Sequence, residues 1–256
     1  MPRRAREKSV TGIYHVMLRG INQQQIFADD EDYTNMLKII REYKEATGVE
    51  IYAYCLMGNH IHLLIKENET EISQFIKRVG TKFVYWYNIK YKRVGHLFQD
   101  RFKSEAVENN QQFITVIRYI HQNPLKAGLV RRISEYRFSS YQEYIEALKG
   151  EKAPIVDSDF VFEIIPKESF IDINEIETND KCLDVEAEIC VRLTDQEATR
   201  IIEKTTKCKN VADFQKLDSD KQNKFIKKLH YKGLSVRQLS RLCGISKGIV
   251  EKHLKT

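Results

Sequence analysis

Gly58-Asn59 separates two runs of strand-forming residues, 49–57 and 60–66. A short turn of this composition between two such runs specifies a β-hairpin. It constrains the fold tightly, because a hairpin settles which residues oppose one another. The second strand begins His60-Ile61-His62-Leu63-Leu64-Ile65. Side chains alternate between faces along a strand, so His60 and His62 share one face while Ile61 and Leu63 point into the other. Two imidazoles side by side on a rigid strand can chelate a metal. Two histidines on an ordinary polar face is the other reading, and the pair alone does not separate them.

The surrounding elements follow from periodicity. Residues 11–19 read as a strand. Asp29 to Asp32 open a helix that runs to Thr47, with Tyr33, Leu37, Ile40 and Tyr43 at helical spacing and Gly48 as its stop. A long helix covers 71–91, with Ile72, Phe75, Ile76, Val79 and Phe83 on its apolar face and lysines and arginines over much of the rest. A short strand lies within 97–107, and a helix over 110–122 ends before Pro124. The order βαββαβ predicts an α+β, ferredoxin-like domain with an antiparallel sheet, followed by an extra helix. In that topology the first and third strands are neighbours. His15 then lies beside the histidine pair, either supporting it or as a satisfied core histidine, the reading favoured by the residues alone.

Charge divides the chain. The net charge is +6, yet residues 151–188 hold 12 acidic and 3 basic side chains, leaving 39 basic and 24 acidic elsewhere. A basic body suits a polyanion such as nucleic acid. Composition therefore gives an α+β domain over 1–150, an acidic linker over 151–183 with one short helix, and a helical domain over 184–256. The last 50 residues, 207–256, carry 13 basic and 4 acidic side chains. Within them one helix ends at Gly244 and Ser246 caps the next, with Ile245 and Ile249 bridging over Leu239. This is helix-turn-helix spacing, which would offer Arg237 and Lys247 to DNA; a plain helical hairpin is the alternative. The basic N-terminus lacks an apolar segment behind it, and five cysteines show no Cys-x-x-Cys spacing. Both point to a reducing cytoplasm, and the cysteines argue against a zinc finger.

Tyr119 and Asn123 stand four apart and share a helix face. A phenol is a weak nucleophile toward phosphorus at its free pKa of about 10, so it needs a polarised phosphate and a stabilised phenolate. A cation on His60 and His62 would supply the first, with an amide oxygen from Asn123 completing its ligands. Imidazole suits Mn²⁺ better than Mg²⁺.

Five ordered blocks then resemble one family. They are Tyr14-His15-Val16, Arg19-Gly20, Met57 to Leu64, Gly95 to Phe102, and Tyr119-Ile120-His121-Gln122-Asn123-Pro124 through Val130. Over residues 10–145 the chain resembles REP-associated tyrosine transposases, within the wider class of single-tyrosine, His-hydrophobic-His (HUH) transposases. The resemblance implies a ferredoxin-like nuclease domain acting on single-stranded or hairpin DNA. It implies Mg²⁺ or Mn²⁺ on His60 and His62, with Asn123 as third ligand. Tyr119 would be the nucleophile, leaving a 5′-phosphotyrosine link and a free 3′-hydroxyl, with no need for ATP. Arg19, Lys82, Arg101 and Lys103 are expected DNA contacts by charge and position. The sequence departs from the family in placing Asn22 two residues after Gly20, Gly58 where proline is common, and Phe98 where tryptophan is common. The expected protein is a nucleoid-associated DNA strand transferase in the bacterial cytoplasm, monomer or homodimer, with duplex contact through its C-terminal domain. A DNA-binding regulator that no longer cuts is the alternative. A histidine-triad hydrolase is excluded, because the position two beyond His62 is Leu64.

Overall fold

The computed structural model describes residues 7–99, 101–176, 182, 195–206, 208, 211–215, 217–231, 234 and 236–255. The chain forms two units, 1–184 and 185–256. Among the described residues no helix is long and apolar enough to cross a membrane.

The first unit contains strands β1 (Ile13–Arg19), β2 (Glu50–Met57), β3 (His60–Lys66) and β4 (Lys103–Ala106), in the order β2-β3-β1-β4. All three pairings are antiparallel. This is the ferredoxin-like arrangement, with β1 and β3 in the centre. β2 and β3 turn through Gly58-Asn59, so Met57 faces His60. Helices α1 (Asp30–Thr47) and α2 (Ile72–Lys90) lie side by side on one face, and α3 (Asn110–Lys126) covers the other.

Local chemistry fixes the helix ends. Asp29 caps α1 by accepting from the Asp32 backbone, and the Asp32 carboxylate accepts from the Asp29 backbone in return. Gly48 closes the helix at φ +67°, a conformation that suits glycine. Lys90, in the last turn of α2, reaches Asp29, Glu31 and the fully buried Asp32 at 2.7–2.9 Å. Carboxylates at one helix start thus meet a cation at another helix end, as both helix dipoles favour.

Two expectations are corrected. α3 does not stop before Pro124 but runs on to Lys126. Its last turn closes through the Ala127, Gly128 and Leu129 amides, bonded to the carbonyls of Asn123, Leu125 and Pro124, with Gly128 at φ +68°. This cap holds the turn together despite the amide hydrogen that Pro124 lacks. The second correction concerns residues 151–176, which composition marks as linker. They hold α5 (Ser158–Ile164) and α6 (Phe170–Glu175), following α4 (Tyr141–Leu148), and they complete the core. Val161, Ile165 and Phe170 are fully buried in the same core as the sheet. The acidic residues act as internal acceptors. Asp157 binds the Lys44 ammonium and the Ile51 amide, each at 2.8 Å. Glu143 accepts from the Ile155 and Val156 amides and from the Tyr54 hydroxyl. The rest of the expected linker, 177–181 and 183, lies outside the described residues.

The second unit contains α7 (Asp195–Thr206), α8 (Val211–Gln215), α9 (Ser219–Tyr231), α10 (Val236–Cys243) and α11 (Lys247–Lys255). Its core includes Ala198, Phe214, Ile226, Leu229, Leu239, Cys243 and Val250. Gly244 turns the chain between α10 and α11 at φ +67°, and a Cβ there would lie 2.4 Å from Val211. Ser246 stands before α11 as expected, but Val250 fills the core in place of Ile249, which is 47% exposed.

If 151–176 is part of the core, Phe170→Ala should cost about 3–5 kcal/mol of stability. Phe170 is fully buried and stacks on Tyr144 at 4.6 Å. Urea unfolding of full-length protein measures this; a linker residue would give almost no change.

Candidate active site at the histidine strand

His60 and His62 are on the β3 face that α3 covers. β1 pairs with β3 so that His15 lies opposite Leu64 and Met17 opposite His62, which places His15 on that face too. His15 Nε2 and His62 Nδ1 are 2.9 Å apart, and both rings are fully buried. His60 Nδ1 is 2.7 Å from the Asn59 side-chain oxygen. A carbonyl oxygen only accepts, so His60 donates from Nδ1, leaving Nε2 with its lone pair. The Asn59 amide nitrogen donates to the Gln23 carbonyl at 3.3 Å, orienting that oxygen toward His60. The 20–27 segment clasps the hairpin turn through the Gly20, Ile26 and Phe27 amides. Gly20 is required there, since a Cβ would lie 2.3 Å from the Gln24 carbonyl.

α3 brings Tyr119 onto this pair. Its ring centroid is 5.6 Å from His62 and 5.7 Å from His15, edge-on to both. Tyr119 is 3% exposed. Lys126, two helical turns on, holds its ammonium 5.2 Å from the Tyr119 ring centroid. Asn123 turns its amide nitrogen back to the Tyr119 carbonyl at 3.2 Å, which leaves its side-chain oxygen to act as a donor to a cation.

Burial keeps His15 and His62 neutral. It pushes His15 down to about 3, and it pushes His62 well below the usual range, helped by repulsion from His15 and His60. Neutral imidazole is the form that binds metal. His62 Nε2 is buried with no hydrogen-bond partner in the protein, so that nitrogen is left for a ligand to meet. Among the described residues no three His, Cys, Asp or Glu side chains are grouped to hold a metal. A cation here would therefore take two imidazoles and draw its other ligands from an amide, phosphate oxygens and water. That mixed set suits Mn²⁺ or Mg²⁺ better than a closed structural zinc site.

The other expected DNA contacts separate. Arg19 is opposite His60 in register and only 9% exposed. It also lines a cavity of about 340 Å³ beside α2, with Lys77, Phe98, Arg101 and Phe102. Lys103 is exposed on β4, opposite Met17. Lys82 is not brought to the site: it is on the α1–α2 layer, its ammonium 2.6 Å from Glu42. Arg237 and Lys247 belong to the second unit, where both are exposed and Lys247 reaches Glu251 at 3.4 Å. A hollow of about 890 Å³ at the other end of β2 holds none of these residues, and its Lys44 and Asp157 are paired with each other.

Residues 8–123 match the family model described as IS200-like transposases. A REP-associated tyrosine transposase of Escherichia coli (strain K12) is 25% identical over 136 residues, covering 52% of this chain and 78% of that protein. The first unit resembles REP-associated tyrosine transposases. A second relative, from Haemophilus influenzae, is 25% identical over 128 residues, or 45% of this chain and 73% of that protein. The fold agrees with a solved REP-associated tyrosine transposase bound to a REP hairpin. That likeness has a TM-score of 0.53 at 17% identity and covers 72% of this chain and 96% of that one. The resemblance read from the five sequence blocks therefore holds in sequence and in fold.

Sequence reasoning missed Lys126, because it ended the helix before Pro124 and so lost the last turn. It also gave no role to His121. That ring is fully buried, donating from Nδ1 to Asn174 at 2.7 Å, with Nε2 2.8 Å from the Ser140 hydroxyl. Asn174 comes from the segment read as linker, so no local signal revealed the bond. Burial lowers His121 to about 4, partly offset by Asn174.

These depressed values set a pH dependence. Below about pH 6.5 the unfolded chain protonates histidines that the fold keeps neutral, so stability falls as pH falls toward 4. The urea midpoint should drop between pH 7 and pH 5, and His121→Gln should flatten that slope. A midpoint level across that range would contradict neutral burial.

Proposed function

We propose that the protein cleaves and rejoins single-stranded or hairpin DNA, with Tyr119 as nucleophile. The observation that carries this reading is the packing of Tyr119, from α3, on His62 of the β3 histidine pair at 5.6 Å between ring centroids. The Tyr119 phenolate oxygen would attack a DNA phosphorus, forming a P–O bond to the tyrosine as the P–O3′ bond breaks. The 3′-oxygen leaves and gains a proton, and the phenol proton passes to solvent. The 5′-phosphotyrosine conserves the phosphodiester, so a free 3′-hydroxyl can reverse the step on another end.

His60, His62 and Asn123 would hold Mg²⁺ or Mn²⁺, which when bound would act as a Lewis acid on the scissile phosphate. Lys126 beside the Tyr119 ring favours the phenolate by charge. Arg19, Lys77 and Arg101 would grip phosphates beside the site, where Phe98 and Phe102 offer stacking surfaces to unpaired bases. Tyr119 is covered here, so a phosphate would reach its hydroxyl only after the side chains over it move aside. Binding of a REP hairpin by the structural relative supports a folded single strand as substrate. The basic second unit would add duplex contact through α11, where Lys247 and Ile249 are exposed.

The test uses full-length protein and end-labelled single-stranded DNA from the flanks of its own gene, with Mn²⁺, Mg²⁺ or EDTA. A covalent protein–DNA adduct should form with metal, vanish in EDTA and vanish in Tyr119→Phe while binding persists. An adduct that survives Tyr119→Phe refutes the nucleophile, and tight binding without cleavage under any metal favours the silent regulator. Lys126→Met should slow adduct formation about ten-fold, which single-turnover rates at neutral pH would show, because it removes the cation beside the Tyr119 ring.

A further inference from the structure

Asn59 and His15 do the same job for the two histidines with different chemistry. Asn59 presents a carbonyl oxygen to His60 Nδ1 and admits one tautomer only. His15 presents a ring nitrogen to His62 Nδ1, and a ring nitrogen can donate or accept. The His15–His62 pair thus has two proton arrangements. In one, His62 carries its proton on Nδ1 and gives it to His15 Nε2, leaving His62 Nε2 bare. In the other, His15 donates, and His62 Nε2 carries a hydrogen that no acceptor meets, since that atom is buried without a partner. His15 Nδ1 is buried without a partner in both. Each arrangement leaves one N–H and one bare nitrogen without a partner in the protein, and they differ in which ring bears the bare one. Only the first turns that bare nitrogen, His62 Nε2, to the strand face that His60 shares, where a cation would satisfy it.

We propose that His15 is a positioning residue that holds His62 in its Nδ1–H form, so that Nε2 is presented as a metal ligand. A hydrogen bond to the far nitrogen of a ligating imidazole fixes its orientation and tautomer and raises its basicity. The acceptor that gives this support is a strand neighbour fixed by the β1–β3 register, so its geometry is set when the sheet forms. The assignment rests on reading His60 and His62 as the metal site.

The experiment compares full-length wild type, His15→Gln and His15→Leu. Glutamine keeps an acceptor oxygen, while leucine keeps bulk without one. Mn²⁺ affinity is measured by calorimetry, and the His62 tautomer by long-range ¹⁵N–¹H correlation of the metal-free protein. His15→Leu should weaken Mn²⁺ binding about 10–100-fold. His15→Gln should stay within a few-fold of wild type, with His62 protonated on Nδ1 in both. Equal Mn²⁺ affinity in folded His15→Leu, or an Nε2-protonated His62 in wild type, overturns the proposal. Wild type that binds no Mn²⁺ refutes the metal reading itself, and the tautomer spectrum then still decides whether His15 orients His62. If His15→Leu does not fold, the wild-type spectrum and the His15→Gln affinity carry the test.

Discussion

The site depends on the antiparallel pairing of β3 between β1 and β2. A one-residue slip would send every β3 side chain to the other face of the sheet. His60 and His62 would then turn toward α1 and α2, away from Tyr119. The register is protected on both faces. Ile61, Leu63 and Ile65 are buried on one side, and Leu64 and His62 are buried on the other. The Gly58-Asn59 turn pins it at one end, where the 20–27 segment clasps the same turn. The apolar residues fix the register, and Asn59 and His15 then meet the histidine rings that this register presents.

The face that carries the histidines is finished by parts of the chain distant in sequence. α3 lays Tyr119 over His62, while the buried His121 is tied to α6 and to Ser140 before α4. Gln122 adds bonds to the Asn174 and Ile176 carbonyls. A β-bulge at Tyr52 swings that ring into the same layer, against Phe113 and Phe160. α3 is therefore gripped on both sides of Tyr119 by buried contacts. These contacts hold the Tyr119 ring beside the histidines on a packed helix, not on a flexible loop.

Much of this was legible in the chain. Runs of strand-forming residues bounded by turn signals gave the strands, and the turn at Gly58-Asn59 gave the hairpin that pairs the histidines. The helix caps at Asp29 and Gly48 were readable because capping chemistry is local. The part that failed failed for one physical reason. Residues 151–176 look like a linker because their acidic side chains dominate the composition, yet Asp157 accepts from Lys44 and Ile51 of elements more than 100 positions earlier. A carboxylate that finds buried donors reads the same in sequence as one that faces water. The C-terminal turn of α3 was missed for a related reason: Pro124 argues against a helix locally, and Gly128 with its cap restores it.

By itself, the sequence determined the βαββαβ order, the shared face of His60 and His62, and the shared helix face of Tyr119 and Asn123. Those facts follow from the two- and 3.6-residue periods of strands and helices. Only the tertiary structure decided that Tyr119 meets the histidines, that His15 bonds to His62 and that Lys126 sits over the tyrosine ring. It also decided that Lys82 faces Glu42 and stays away from the site. Each of these depends on which side of the sheet a helix packs against and on which strand lies next to β3. Such choices are made by burial across the whole core, and no local period records them.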